Sequence, residues 1–283
     1  MTKTRTIAVA LLLLWTWIGA EAIAQTDDRS ITKIAGDLYR FQNRFHYSVF
    51  LVTGEGILVT DPINAEAAKW LETELAKRFP GVPIRYLVYS HSHADHVAGG
   101  EVFADTATVV SHERAKQRIV AEQVPTATPQ ETFSDRKTLQ VGGKRVELIY
   151  LGPSHSDNLI VMYFPAERTV FAVDIVAVKR LPYQDLPDAD MTGWIATLKA
   201  LEAMDFDILA PGHGALGGKA DLADHRRYLE SLREQVKAGM AAGKSVDELK
   251  QSVTMSDYAS WGMYKEWREA NVAGMYRLLQ TSR

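Results

Sequence analysis

The sequence predicts one large α/β domain, and three features carry that expectation. Short apolar strands alternate with amphipathic helices from residue 31, one strand, interrupted only by Arg85, has the apolar character of burial on both faces, and beyond residue 214 only helices remain. Hydrophobic residues make up 46% of the chain and charged residues 24%, so both a sizeable core and a soluble surface are provided for.

The elements follow in order. Residues 37–43 and 48–53 alternate as strands, and Gly54-Glu55-Gly56 turns the chain into a strand over 57–60. Asp61-Pro62 ends that strand, because proline has no N–H to give the ladder. Ala68, Leu71, Leu75 and Phe79 then fall at helical spacing, and Pro80-Gly81 stops the helix. Residues 84–89 form the doubly buried strand. A short helix beginning near Val97, a strand over 108–110 and a charged helix over 112–122 come next. Residues 124–135, rich in proline and threonine, read as a surface loop. Strands over 146–151, 159–164 and 169–173 form a triplet, and Met191, Trp194, Ile195, Leu198, Leu201 and Met204 mark an amphipathic helix. Residues 207–210 are a last short strand, running into Pro211-Gly212-His213-Gly214. Residues 244–283 read as a helical extension packed on a core domain of 25–243. A capping box at Ser245 and Glu248 opens it, and Tyr258, Trp261, Tyr264, Trp267 and Tyr276 supply its packing surface.

The first 24 residues stand apart. Lys3 and Arg5 precede an apolar run over 7–18, and Ala22-Ile23-Ala24 offers small residues where a signal peptidase reads. That order predicts a cleaved secretory signal, a periplasmic or secreted protein, and no stable membrane anchor afterwards. The apolar run falls short of the ~20 residues that a membrane-spanning helix needs. A net charge of −3 gives no overall attraction for nucleic acid. Cysteine is absent, which removes disulfides and thiolate metal ligands from consideration.

The chemistry concentrates in His91-Ser92-His93-Ala94-Asp95-His96, directly after the doubly buried strand. Four candidate ligands lie there at the C-terminal end of a strand. Without thiolates the donors must be imidazole and carboxylate, which suit zinc. His91 and His93 can face one ion, and Asp95 and His96 a second. His155, Asp174 and His213 each lie just past another strand end, where a sheet can gather residues distant in sequence. A lone histidine is most often a hydrogen-bonded surface residue, and a lone Asp after a strand is most often a turn former. Five of the eight histidines at strand ends are not explained that way.

At these residues the chain resembles the metallo-β-lactamase superfamily, over roughly 37–214. The resemblance rests on H-x-H-x-D-H at His91 to His96, on His155 and Asp174, and on Pro-Gly-His-Gly at Pro211 to Gly214. It implies a four-layer αββα sandwich with a dinuclear site at one edge between two sheets. It assigns His91, His93 and His155 to the first metal, Asp95, His96 and His213 to the second, and Asp174 as the bridge. Asp61 resembles the family's strand-end aspartate, which orients the metal loop.

The expected cofactor is two Zn²⁺, with iron or manganese as the other metals these donors accept. Two divalent ions outweigh the charges of Asp95 and Asp174 even with a shared hydroxide, leaving an electrophilic site. Zinc brings the pKa of bound water to about 7, so hydroxide attack on a carbonyl is expected at neutral pH. Asp95 is the expected proton relay, and Asp61 the residue that tunes ligand basicity.

The substrate is expected to be a small molecule: a lactam, a lactone or ester, or a thioester. A bridging aspartate resembles the superfamily's thioesterases, lactonases and phosphodiesterases, whereas His155-Ser156-Asp157-Asn158-Leu159 resembles a lactamase loop. Lys179 and Arg180 are candidates to hold a substrate carboxylate, with a solvated basic pair as the plain alternative. His46 and Tyr47, beside a strand, are weaker substrate candidates for which a structural role is favoured. An iron-dependent sulfur or oxygen redox enzyme is the main rival. A nuclease would bring a basic surface that is not seen, and a metal-free scaffold would have lost ligands.

Overall fold

The computed structural model describes residues 28–281; the expected signal peptide lies outside them. Among the described residues, twelve strands form two sheets. The first runs in sequence order through β1 (Arg29–Ala35), β2 (Leu38–Asn43), β3 (His46–Thr53), β4 (Gly56–Thr60), β5 (Ile84–Val88), β6 (Thr108–His112) and β7 (Glu131–Phe133). Its first four strands are antiparallel, and β4 to β7 are parallel. The second contains β8 (Arg136–Val141), β9 (Lys144–Ile149), β10 (Val161–Phe164), β11 (Thr169–Val173) and β12 (Ile208–Pro211). Its order is β12-β11-β10-β9-β8, with only β11 and β12 parallel.

Side-chain alternation sets the layers, because successive residues of a strand face opposite ways. Val49, Leu51 and Leu58 turn inward against Leu148, Met162, Phe164, Phe171 and Val173 of the second sheet. Phe50, Ile57 and Val59 turn outward onto Ala68, Leu71 and Leu75 of α1 (Ala65–Arg78). The outer face of the second sheet, with Val161, Val170, Ala172 and Leu209, is covered by α4 (Met191–Glu202) and α5 (Lys219–Ala241) through Trp194, Leu198, Leu229 and Leu232. The layers are therefore helix, sheet, sheet, helix. All five residues of β4 are buried, as expected of a strand packed on both faces.

The strand over 84–89 is not buried on both faces throughout: in β5 Arg85 is exposed and only Leu87 and Val88 are buried. Other readings change as well. Residues 124–135 are not wholly loop, since β7 pairs with β6 and Gln130 N–H donates to Val109 at 2.9 Å. The short helix near Val97 is α2 (Ala94–Val97), which starts earlier and carries Asp95 and His96 itself. Strand β8, unread in the sequence, makes a hairpin with β9 through Gly142-Gly143, both at positive φ (51° and 80°). Helix α3 (Glu113–Ala121) takes His112 as its N-cap.

The C-terminal helices α6 (Val246–Ser252) and α7 (Tyr264–Thr281) lie against this scaffold, α6 opened by the Ser245–Glu248 capping box. Helix α7 also braces the loop that follows Asp174. Asn271 Nδ2 donates to the Pro182 carbonyl at 3.1 Å, and Arg277 to those of Asp185 and Leu186 at 2.8 and 2.9 Å. Gly274 is packed so closely on Asp185 that an added Cβ would sit 2.1 Å from its carbonyl oxygen. Among the described residues no helix is long and apolar enough to cross a membrane.

Candidate metal centre

Five segments ending strands β4, β5, β9, β11 and β12 meet at one edge of the sandwich. Asp61, past β4, is completely buried and organises the loop after β5. Its Oδ1 accepts the Ser90 N–H at 2.8 Å, and its Oδ2 accepts the Ser90 hydroxyl at 2.6 Å. His91 Nδ1 lies 2.9 Å from Ser90 Oγ, and His96 Nδ1 lies 3.2 Å from Asp61 Oδ2. One carboxylate thus fixes both rings, directly or through Ser90. It places their protons on Nδ1 and turns each Nε2 lone pair into the site.

Those two Nε2 atoms are buried without a hydrogen bond. An unsatisfied buried polar atom costs about 1–3 kcal/mol, so each of these lone pairs fits a cation that would accept it. The donor set agrees. One potential ligand atom each from His91, His93, His155 and Asp174 lie within 4.8 Å of one another, as do those of His96, Asp174 and His213. Asp174 belongs to both groups. Its Oδ2 is 3.8 Å from His91 Nε2, 3.6 Å from His155 Nε2 and 3.2 Å from His96 Nε2, and its Oδ1 is 3.4 Å from His213 Nε2. That is the placement expected of a bridge.

The electrostatics follow from burial and this shared carboxylate. Burial pushes the His91 imidazolium well below its usual range, and His155 down to about 4, so both favour the neutral form that binds metal. His213 is also lowered, chiefly by burial. Burial opposes ionisation of Asp174, yet His96, His213 and His155 outweigh it and hold the carboxyl well below normal. His96 goes the other way. Burial lowers it, but Asp174 and Asp61 hold it well above its usual value, a proton there standing where a metal cation would.

Asp95 sits differently from the expected grouping. Its side chain is 53% exposed, and Oδ2 is 3.8 Å from His96 Nε2 but only 3.1 Å from His46 Nε2. His46, Asp95 and His213 form a third group of potential ligand atoms within 4.8 Å. His46, near which no metal was expected, therefore lies in the site. Tyr47 does not. It stacks under the Arg40 guanidinium at 3.5 Å, and its N–H donates to the Gly212 carbonyl at 2.8 Å.

The cluster forms the floor of a pocket of about 800 Å³, walled by Phe45, Leu181, Tyr183, Met263 and Trp267 with Arg180 among them. Arg180 lies 4.7 Å over the Trp267 ring. Lys179 does not line the pocket; it sits in a turn at φ 46°, while Arg180, bridged to Gly262, does line it. The sequence reading missed Ser90, Asp188 and Trp267. Asp188 Oδ2 lies 3.1 Å from His93 Nε2, leaving His93 Nδ1 toward His155 Nε2 at 3.2 Å. No local pattern marks Asp188. For Trp267 the sequence favours packing over a pocket wall, and it packs and lines the pocket at once.

With this geometry in place, the known proteins it resembles become informative. The profile of the metallo-beta-lactamase superfamily matches residues 42–213, more than half of the chain. The chain belongs to that superfamily. The match spans every residue of the cluster from His46 to His213 and stops short of the C-terminal helices. A metallo-beta-lactamase type 2 of Bacteroides fragilis is 24% identical over 249 residues, covering 81% of this chain and 98% of that one. The 2,4-dinitroanisole O-demethylase subunit alpha of Nocardioides sp. is 31% identical over 162 residues. That match covers 56% of this chain, which spans about half (49%) of that relative's length. The metallo-beta-lactamase from Pontibacter korlensis shares the fold, with a TM-score of 0.63 and 24% identity over 71% of this chain and 99% of that one. Superfamily membership and the donor cluster together make this a metal-dependent, hydrolase-type site for small molecules.

Proposed function

We propose that the protein is an exported dinuclear zinc hydrolase that opens a carbonyl compound: a lactam, a lactone or ester, or a thioester. The observation that carries this reading is Asp174, shared at 3.2–3.8 Å among His91, His96, His155 and His213, so that one carboxylate links two donor groups. When bound, two zinc ions would supply hydroxide at neutral pH and an electrophilic partner for the carbonyl oxygen.

The chain's own residues do the rest. His91, His93 and His155 would hold one position, and Asp95, His96 and His213 the other, with Asp174 shared between them. Asp95, half exposed at the pocket floor, is the group placed to take and return a proton as the leaving atom departs. Asp61 reaches the site only through Ser90 and His96, so its part is positioning. The apolar walls exclude water and seat the substrate body. Arg180 has no carboxylate partner among the described residues and offers a guanidinium to a substrate anion. Export rests on the leader pattern of the first 24 residues.

Hydrolysis of a panel with defined leaving atoms tests the reading: a cephalosporin, an aryl lactone, an acyl thioester, and an aryl methyl ether as suggested by the demethylase relative. Turnover of a carbonyl substrate, abolished by chelation and restored by zinc, is the expected result. Turnover of the ether alone, or of none of them, would remove the carbonyl reading.

A further inference from the structure

We propose that His46, at the tip of the β2–β3 hairpin, is a positioning residue for the second metal position, and that this hairpin controls its occupancy. The inference rests on the dinuclear reading above but concerns residues to which that reading gives no metal role.

The hairpin touches the second position at several points and the first at none shown. Its Phe45 carbonyl accepts from His213 Nδ1 at 3.0 Å, which puts the proton on Nδ1 and turns Nε2 toward Asp174. His46 Nε2 lies 3.1 Å from Asp95 Oδ2, and its ring lies 4.6 Å from that of His213. The strands below grip the loop that carries His213. Tyr47 N–H donates to the Gly212 carbonyl at 2.8 Å, and Arg40 donates to the carbonyls of Pro211 and Gly214 at 3.2 and 2.6 Å. The turn itself is tight, with Arg44 at φ 56°, a conformation that fixes where the next two residues point.

The physical argument is one of restraint. Asp95 is the most exposed member of the cluster, and a free carboxylate side chain would sample several rotamers. A histidine donating Nε2–H to one carboxylate oxygen removes that freedom and leaves the other oxygen for a cation. Outer partners of this kind typically change metal affinity by ~10–100-fold when removed. His91, His93 and His155 have their own restraints in Ser90, Asp188 and the buried Trp194, whose ring is 5.6 Å from that of His155. Loss of His46 should therefore separate the two positions.

The test is a stepwise zinc titration of the metal-free protein by calorimetry, with the cobalt(II) absorption spectrum as a second readout. Wild type, His46→Ala and His46→Gln are compared. The glutamine amide N–H can take the place of Nε2–H, but its amide is a poor zinc ligand. The expected result is that His46→Ala weakens the second ion by ~10–100-fold and leaves the first unchanged, while His46→Gln restores most of the loss. Equal affinities in wild type and His46→Ala would overturn the inference, as would a loss shared by both ions. Failure of His46→Gln to rescue would make His46 a direct ligand and overturn the positioning role. A wild type that binds one ion would sink the dinuclear reading itself. Two ions with the predicted pattern but no hydrolysis would sink only the hydrolase.

Discussion

The two halves of the cluster are built to different standards. His91, His93 and His155 are deep or half-buried, and each has a partner in the scaffold: Ser90 and behind it Asp61, then Asp188, then the ring of Trp194 in a T-shaped contact. The second half joins buried His96 to the more exposed Asp95 and His213, and the restraint on those two comes from a two-strand hairpin with Phe45 61% exposed at its tip. Buried rings anchor both halves, His91 and His155 in the first and His96 in the second, and a surface hairpin reaches the second alone. The difference teaches that the two donor groups of one site can be perturbed separately.

The largest way to break the comparison is to remove what the halves share. Asp174→Asn keeps the shape but loses the charge between the two donor groups. Transition-state charge stabilisation at such sites amounts to several kcal/mol, so hydrolysis should fall by on the order of 10³-fold. Steady-state kinetics beside metal analysis would check this, and near wild-type turnover would deny Asp174 its bridging place.

The next effect tests whether the first half owes its firmness to the core. His225 on α5 is completely buried, its ring 6.1 Å from that of Trp194, and burial pushes it down to about 4 against the pull of the Ala177 carbonyl. The unfolded chain binds this proton near the ordinary value of 6.5, and the folded chain only near 4. The stability tied to neutral His225 is thus fully present above pH 6.5 and is lost as pH falls toward 4, by on the order of 3 kcal/mol. Denaturant unfolding at several pH values should show His225→Leu less acid-sensitive than wild type over that window.

A smaller effect mirrors the hairpin substitution. Asp188→Ala frees His93 Nε2 and should weaken the first ion by ~10-fold without changing the second. Stepwise metal titration would measure it, and a change confined to the second ion would reverse our division of the site.

Most of this was legible in the sequence because it lies in local patterns. Period-two alternation in β2 and β3, the apolar end of β5 and the H-x-H-x-D-H run each depend on near neighbours, as do the strands whose ends present His155, Asp174 and His213. What was missed depends on long-range contact. Strand β7 is polar and three residues long, and only pairing with β6 makes it a strand. Asp188 meets His93 across 95 positions, and His46 meets Asp95 across 49. Trp267 has the same helical spacing whether it packs on the core or walls a pocket, so periodicity alone could not separate the two. Lys179 and Arg180 are equivalent in the sequence, and only the folded loop separates them, with Arg180 lining the pocket.

The central claim is a two-ion site, and elemental analysis of the purified protein reads it most directly, with zinc measured per chain before and after removal of the weaker ion by a mild chelator. The account predicts two zinc ions, the one at the hairpin-held position leaving first and hydrolysis falling with it. A single iron per chain, with no gain on adding zinc, would contradict it.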